Sequence, residues 1–373
     1  MTVVGGGLIG AAIAYGAARK GVSVRVLDQG DVAFRASRGN FGLVWVQDKG
    51  DGVPQYARWS REASKLWSIL HNELLEVTGV DTDLKQPGGF WLAFSEAEMV
   101  ERVTMLDRID RDAGGIPFKM MEYSDLKQHL PGLGPAVVGG SYCPLDGHAN
   151  PLMLLRGLHT ALKCRGAELV TGVDVERVRH NADRGGFEIY ASDGRSWSTD
   201  RVVLAAGLGN ARLGPQIGLH APVVPSRGQI LISERVKPFL HYPINKFRQT
   251  GEGSVQIGST TENVGLDDGT TTDRIKWMAK RAVATFPALA DARIVRAWGA
   301  LRILSPDEYP IYEESQTCPG GFIATSHSGV TLASVHCLVL APWMCGLAEL
   351  PPDLSVFTSD RFSEDKKGFA HAN

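Results

Sequence analysis

No two cysteines of this sequence stand close enough to make a redox or metal-binding pair. The five, Cys143, Cys164, Cys318, Cys337 and Cys345, show no C-x-x-C and no metal-type spacing. An iron–sulfur cluster or zinc site of the usual kind is therefore excluded within the chain, and no metal site is expected. An odd cysteine count without a leader-like start fits reduced thiols, so the expected location is the cytoplasm. Long apolar runs are missing as well. The best, Leu338 to Leu347, contains Pro342 and falls short of the roughly 18 residues a membrane-crossing helix needs. Charge of one sign is also scarce: 39 Lys and Arg stand against 41 Asp and Glu, a net −2. Neither nucleic acid nor an anionic surface is expected as a bulk partner. What the chain has is size. At 373 residues and 43% apolar it can bury a large core, and two domains, free to interleave, are expected.

The densest local pattern is VVGGGLIGAAIAYGAARKGVSVRVLDQG, residues 3–30. Val3 and Val4 end a strand. Gly5-Gly6-Gly7-Leu8-Ile9-Gly10 follows as G-x-G-x-x-G, then a helix of small residues over 11–20 and a second strand over 22–27. Gly5 permits the tight turn, Gly7 a close approach to a pyrophosphate, and Gly10 close packing of helix on sheet. The helix start offers free N–H groups to the phosphates. Asp28 ends the second strand 18 positions after Gly10, where an acid accepts ribose hydroxyls.

The next stretch, VAFRASRGNFGLVWVQDKG, is rich in Arg, Ser, Gly and Asn, as a loop meeting a second part of a cofactor would be. Asn150 to Gly166 reads as a helix capped by Asn150, with Pro151 in its first turn. Glu168 to Arg177 reads as a strand. Arg201 to Gly207 reads as a buried strand ending Ala205-Ala206-Gly207, and GGFIATSHSGVTLASVHCLVLAPWMCG as strand, glycine turn and helix.

This layout resembles the FAD-dependent D-amino-acid-oxidase-like superfamily, which holds glycine oxidase, sarcosine oxidase and the amino-acid dehydrogenase flavoproteins. The likeness covers essentially the whole chain. Within it, GNFGLVWVQDKG is similar to the β subunits of bacterial opine oxidases, acting on octopine or nopaline. The resemblance implies an α/β fold: a Rossmann-like FAD-binding domain of the glutathione-reductase type, interleaved with an α+β substrate domain that carries a mixed sheet. The expected FAD-binding segments are 1–85, 149–215 and 318–373, and the substrate segments 86–148 and 216–317. FAD contacts are implied at Gly5, Gly7, Leu8, Ile9, Gly10, Asp28 and Gln29. Further contacts are implied at Ser37, Arg38, Asn40, Phe41, Gly42 and Leu43 in the loop, at Val175, Ala206 and Gly207, and at Ser328, Gly329, Val330 and Thr331. In the family this last turn sets N–H groups and a helix start beside the flavin ring, which favours its anionic reduced form. Noncovalent FAD is expected. Loop 37–43 holds no His, and Leu304-Ser305-Pro306 stands where flavin-linking relatives carry Cys.

For the substrate, strands are expected over 89–94, 228–233, 254–259 and 296–304, with helices near 96–113 and 277–286. RAWGALRILSPDEYPIYEE, residues 296–314, resembles the family segment whose arginine binds the substrate carboxylate, and the match falls on Arg302. A planar guanidinium grips a carboxylate by two parallel hydrogen bonds. Arg296, on the same strand, is the competing candidate. His327 is expected beside the flavin as a catalytic or contact residue. Tyr242 and Lys246, with Arg248, lie in HYPINKFRQ, a region that lines the pocket in glycine-oxidase-like proteins. Trp45 and Gln47 alternate after the flavin loop, so one of them is expected to reach the site.

The implied reaction is oxidation of the C–N bond of a secondary amino acid. Hydride leaves Cα for flavin N5, and water then splits the imine into an amine and a 2-oxo acid. Proline or hydroxyproline dehydrogenase β chains and glycine, sarcosine or D-amino-acid oxidases are the alternatives within the superfamily. An NAD-dependent dehydrogenase and a non-catalytic FAD-binding subunit are the alternatives outside it. The opine-type resemblance further implies a hetero-oligomer with an α subunit and a small iron–sulfur subunit. FMN would then lie at a subunit interface, the iron–sulfur centre on a partner chain, and any membrane association would run through the partners.

Overall fold

The computed structural model describes residues 1–30 and 36–363. The start of the arginine-rich loop (31–35) and the end of the expected last FAD segment (364–373) lie outside the described residues. Six strands form the main sheet, in the order Ile311–Glu314, Gly321–Thr325, Val202–Leu204, Thr2–Val4, Arg25–Asp28, Glu168–Thr171. All neighbours run parallel except the hairpin of Ile311–Glu314 with Gly321–Thr325. A parallel sheet needs cover on both faces, and successive residues show how it is met. Val3, Val26 and Val203 share a core with the helices Leu8–Ala18, Pro151–Cys164 and Ala333–Met344. Val4, Leu27 and Leu204 face a core shared with the antiparallel sheet Val175–His180, Phe187–Ala191, Ser196–Thr199.

Two expectations need correction here. The strand expected over 168–177 is two strands in different sheets, Glu168–Thr171 and Val175–His180, turned at Gly172 with φ +69°. The boundary expected at 317/318 falls inside a hairpin, because Ile311–Glu314 belongs to the main sheet.

A second, mixed sheet lies over this layer. One half is Lys119–Glu122, Gly139–Cys143 and Gly89–Ala93; the other is Phe247–Gln249, Ser254–Gly258, Val224–Arg235 and Ile294–Leu304. Ile244 joins the halves by a parallel bridge to Phe90. There the Phe90 N–H donates to Pro243 O at 3.0 Å and the Asn245 N–H donates to Phe90 O at 3.2 Å.

The expected helices are present at Glu96–Ala113, Pro151–Cys164 and Thr272–Thr285. Asn150 caps the second, accepting from the Leu152 and Met153 N–H groups at 3.1 and 3.2 Å. Sequence reading missed one long helix, Pro54–Thr78. Its signals are Pro54 at the first turn, Gly79 in the left-handed region at the end, and a buried stripe Tyr56, Trp59, Ala63, Trp67, Leu70, Leu74 at helical spacing. Among the described residues no helix is long and apolar enough to cross a membrane.

Candidate active site

Two adjoining cavities run between the sheets, one of about 680 Å³ and one of about 290 Å³, and both are lined by Leu8, Ile9, Ser37, Ile303 and Ser326. The larger begins at the glycine turn. Gly5 sits at φ +104°, which L side chains rarely adopt. A Cβ added at Gly10 would lie 1.9 Å from the Gly5 carbonyl oxygen, so helix and turn touch backbone to backbone. Asp28 staples this turn: Oδ2 accepts the Gly6 N–H at 2.7 Å and Oδ1 the Gly30 N–H at 2.8 Å. Ser37 reaches back from the loop, its Oγ accepting the Leu8 N–H at 2.9 Å.

Two further residues complete this end, and sequence reading named neither. His159 Nε2 lies 2.7 Å from the Gly6 carbonyl. A carbonyl only accepts, so the ring carries its proton on Nε2, and burial lowers its pKa and keeps it neutral. Asn210 ties two strand ends together, accepting from the Ala206 N–H at 2.9 Å and donating to Ala324 O at 3.3 Å. Gly5, Gly7, Asp28, Gln29, Arg38, Val175, Ala206 and Gly207 all line the larger cavity. Leu8, Ile9, Ser37, Ile303 and Ser326, common to both linings, join this cavity to the smaller one.

The smaller cavity is framed by the flavin loop (Asn40, Phe41, Leu43), the turn Ser328, Gly329, Val330 and Thr331, and the roof strands. The missed helix fixes that turn. Trp67 Nε1 donates to Val330 O and Thr331 O, both at 3.1 Å, and the Tyr56 hydroxyl donates to Ser328 Oγ at 3.0 Å. Thr331 Oγ1 in turn accepts the Trp45 N–H and donates to Leu43 O, both at 3.2 Å. The loop and the turn therefore hold each other.

Arg302 enters from the roof strand Ile294–Leu304 and lines this cavity. Its Nη2 donates to Ser259 Oγ at 2.5 Å and to Thr260 O at 2.8 Å, while Nη1 is buried with no hydrogen-bond partner. A Cβ at Gly228 would sit 2.4 Å from Arg302 Nη2, so the neighbouring strand leaves room for the guanidinium. Arg296 shares the strand but is exposed and stacks on Trp298 at 5.9 Å, outside the cavity. His327 lines the cavity, and desolvation beside Lys49 and Arg302 pushes its pKa down to about 3. It is a neutral imidazole at any ordinary pH.

The remaining expected residues divide. Lys246 lines the cavity, its Nζ 3.4 Å from Ser259 O. Trp45 lines it too and is buried, whereas Gln47 turns away to Asp146 and Arg102. Tyr242 does not line it. The segment around Ile244 is drawn into the sheet by Phe90, and the Tyr242 ring packs on Phe90 at 5.1 Å and Tyr142 at 6.3 Å. Arg248 is buried beneath the flavin loop, donating to Phe41 O at 2.5 Å. Gly42 lines neither cavity; it lies against Ala149 O and Arg248. Gly10 likewise serves packing and does not line the cavities. Lys49 and Asp48, which sequence reading did not name, do line the smaller one.

Residues 1–343 match the model of the family described as FAD dependent oxidoreductase. The chain belongs to that family. An opine oxidase subunit of Rhizobium meliloti is 41% identical, over 97% of each chain. The corresponding opine oxidase subunit of Agrobacterium tumefaciens (strain Ach5) is 40% identical, also over 97% of each. Among solved structures, glycine oxidase from Geobacillus kaustophilus superimposes with a TM-score of 0.86 at 26% identity, covering 96% of this chain and 97% of that one. The chain is thus an enzyme, an FAD dependent oxidoreductase.

Proposed function

We propose that the substrate is an opine, a secondary amino acid whose nitrogen joins an amino acid to a second carboxyalkyl group, and that the products are an amino acid and a 2-oxo acid. The observation that carries this reading is Arg302: a cavity-lining guanidinium with one nitrogen anchored to Ser259 and Thr260 and the other buried and unpartnered. A buried donor without an acceptor costs free energy, and a carboxylate supplies the acceptor. FAD, when bound, supplies the hydride acceptor for the substrate's Cα–H. Arg302 fixes the carboxylate and thereby the direction of that C–H bond, and orientation is most of what such a step asks of the protein. His327 is held neutral by burial and its cationic neighbours, so it accepts or donates a hydrogen bond without adding charge. The Trp45 ring and the roof strands exclude water.

We further propose that the chain works as the catalytic subunit of a hetero-oligomer. Its 41% and 40% identical relatives are each one subunit of an opine oxidase, which supports this reading. Partner subunits would carry electrons onward through FMN or an iron–sulfur centre. Within the described residues no cluster of His, Cys, Asp and Glu is fit to hold a metal.

The test is an anaerobic titration of the purified protein, coexpressed with its genomic neighbours, against octopine, nopaline, proline, hydroxyproline, sarcosine and glycine. Loss of the oxidised flavin band with an opine, at concentrations where the others leave it unchanged, is the expected result. Reduction by a cyclic imino acid in place of opines would move the assignment to the proline and hydroxyproline dehydrogenases.

A further inference from the structure

The smaller cavity carries more positive charge than one carboxylate needs. Lys49, Lys246 and Arg302 line it against the single carboxylate of Asp48. With His327 neutral, that balance is +2. Two of the cations are already engaged, Arg302 with Ser259 and Thr260 and Lys246 with Ser259 O. Lys49 is different. Its ammonium has no hydrogen bond or ion pair among the described residues; the side chain is half-buried, and although burial works against its charge, Tyr56 and the carboxylates of Asp48, Glu308 and Asp146 raise its pKa.

The segment that presents Lys49 is stiff. The Val46 N–H donates to Asp146 Oδ1 and Gln47 Nε2 donates to Asp146 Oδ2, both at 2.6 Å. Gln47 Oε1 accepts from Arg102 Nη2 at 2.5 Å and from Ser141 Oγ at 2.7 Å. The Lys49 N–H closes the turn onto Val46 O at 3.1 Å. A cation held on a fully bonded loop, facing a cavity with two further cations and, among the described residues, in direct ion pair with none of the nearby carboxylates of Asp48, Glu308 and Asp146, is a preorganised anion site.

We infer that Lys49 is a specificity-determining residue of this enzyme, taking a second carboxylate of the substrate, separate from the one that Arg302 holds. The inference rests on the reading of the substrate as a secondary amino acid. It adds that two cations from different layers grip two acids flanking one nitrogen. Two carboxylates with a neutral amine bring a charge of −2, the complement of the lining. A single-carboxylate amine such as sarcosine or proline leaves Lys49 unmatched.

The experiment uses thioethers, in which sulfur replaces the amine nitrogen, so binding is read without turnover. Thiodiacetate has two carboxylates and (methylthio)acetate has one. Their dissociation constants are measured by calorimetry on the FAD-loaded protein, for the wild type, Lys49→Met and Lys49→Arg. The wild type is expected to prefer thiodiacetate by about 10- to 100-fold, the span of a charge-assisted hydrogen bond. Lys49→Met should bring that ratio to within about threefold, and Lys49→Arg should keep most of it. Equal weakening of both ligands in Lys49→Met, an unchanged ratio, or no preference in the wild type would each overturn the assignment. The opine reading is scored separately, by anaerobic flavin reduction with amines. A chain that reduces with opines but binds both thioethers alike retains its activity assignment and loses the Lys49 one.

Discussion

Arg302 is the residue on which the proposed chemistry turns, and the effect of its loss can be worked out from its bonds. In Arg302→Lys the positive charge stays but the planar fork goes. Of the two parallel bonds a guanidinium gives a carboxylate, a lysine ammonium supplies one. A charge-assisted hydrogen bond is worth about 1.5–3 kcal/mol, and about 1.4 kcal/mol is tenfold in rate. Arg302→Lys should therefore lose roughly 10- to 150-fold in kcat/KM. Arg302→Met removes both bonds and the charge and should lose about two to four powers of ten by the same reckoning. If Arg302 sets the direction of the Cα–H bond as well as binding its acid, as proposed, kcat should fall along with the rise in KM. FAD should stay bound, since Asp28 and the glycines of the turn line the larger cavity and Arg302 the smaller one. The assay is stopped-flow reduction of the flavin without oxygen, over a range of opine concentration, with flavin content measured per chain. A Met variant within threefold of the wild type, or one that loses its flavin, would refute the reasoning.

Gly228→Ala places a Cβ 2.4 Å from Arg302 Nη2 and should displace the guanidinium. At least a tenfold loss of kcat/KM is expected, with a thermal midpoint near that of the wild type; unchanged kinetics would show that the guanidinium has room to shift. Asp28→Ala leaves the Gly6 and Gly30 N–H groups without their carboxylate acceptor, and FAD affinity measured by fluorescence should fall by a factor of ten or more. His336 is fully buried, its Nε2 2.7 Å from the Tyr312 hydroxyl, and burial pushes its pKa down to about 3. A histidine whose folded pKa is depressed destabilises the fold as pH drops from about 6.5 toward 3, because only the unfolded chain takes up the proton there. Relative to His336→Gln, the wild type should lose about 1.4 kcal/mol of stability per pH unit between pH 6 and pH 4. Parallel urea-unfolding curves for the two proteins at those pH values would contradict this.

The nucleotide half was legible because its signals are local. Glycines, helix, strand and acid sit within residues 3–28, and each does its work within a few residues of chain. The motif around Arg302 led to a side chain that lines the smaller cavity. What escaped reading comes from distant chain positions. His159 reaches the Gly6 carbonyl across 153 residues, and Trp67 reaches the C-terminal turn across 263. No spacing rule joins such positions. Tyr242 failed for a related reason. Its segment was read as a pocket loop, but the edge of Gly89–Ala93 recruits it as a bridging strand and draws the ring into an aromatic cluster. The helix Pro54–Thr78 is the one omission that the pattern alone would have supplied, through Pro54, Gly79 and the apolar stripe between them.

The cost of the active site points the same way as its geometry. A sequence under pressure only for stability does not leave a buried Arg302 nitrogen unpaired, since an unsatisfied buried donor destabilises the fold. The other buried cations of the described residues are met in two ways, by ion pairs or, at Arg61, Arg102 and Arg248, by neutral hydrogen-bond acceptors. Arg227 is held by Glu262 at 3.0 Å, and Arg361 by Asp307 at 2.7 Å. Arg302 differs in that its unpartnered nitrogen belongs to a side chain that lines the smaller cavity. On the proposed reading the substrate supplies what is missing: one carboxylate reaches the unpartnered Arg302 nitrogen and a second reaches Lys49. Dicarboxylate ligands should accordingly raise the unfolding temperature of the FAD-loaded wild type more than they raise that of Lys49→Met, and a stabilisation equal in both proteins would sink this account.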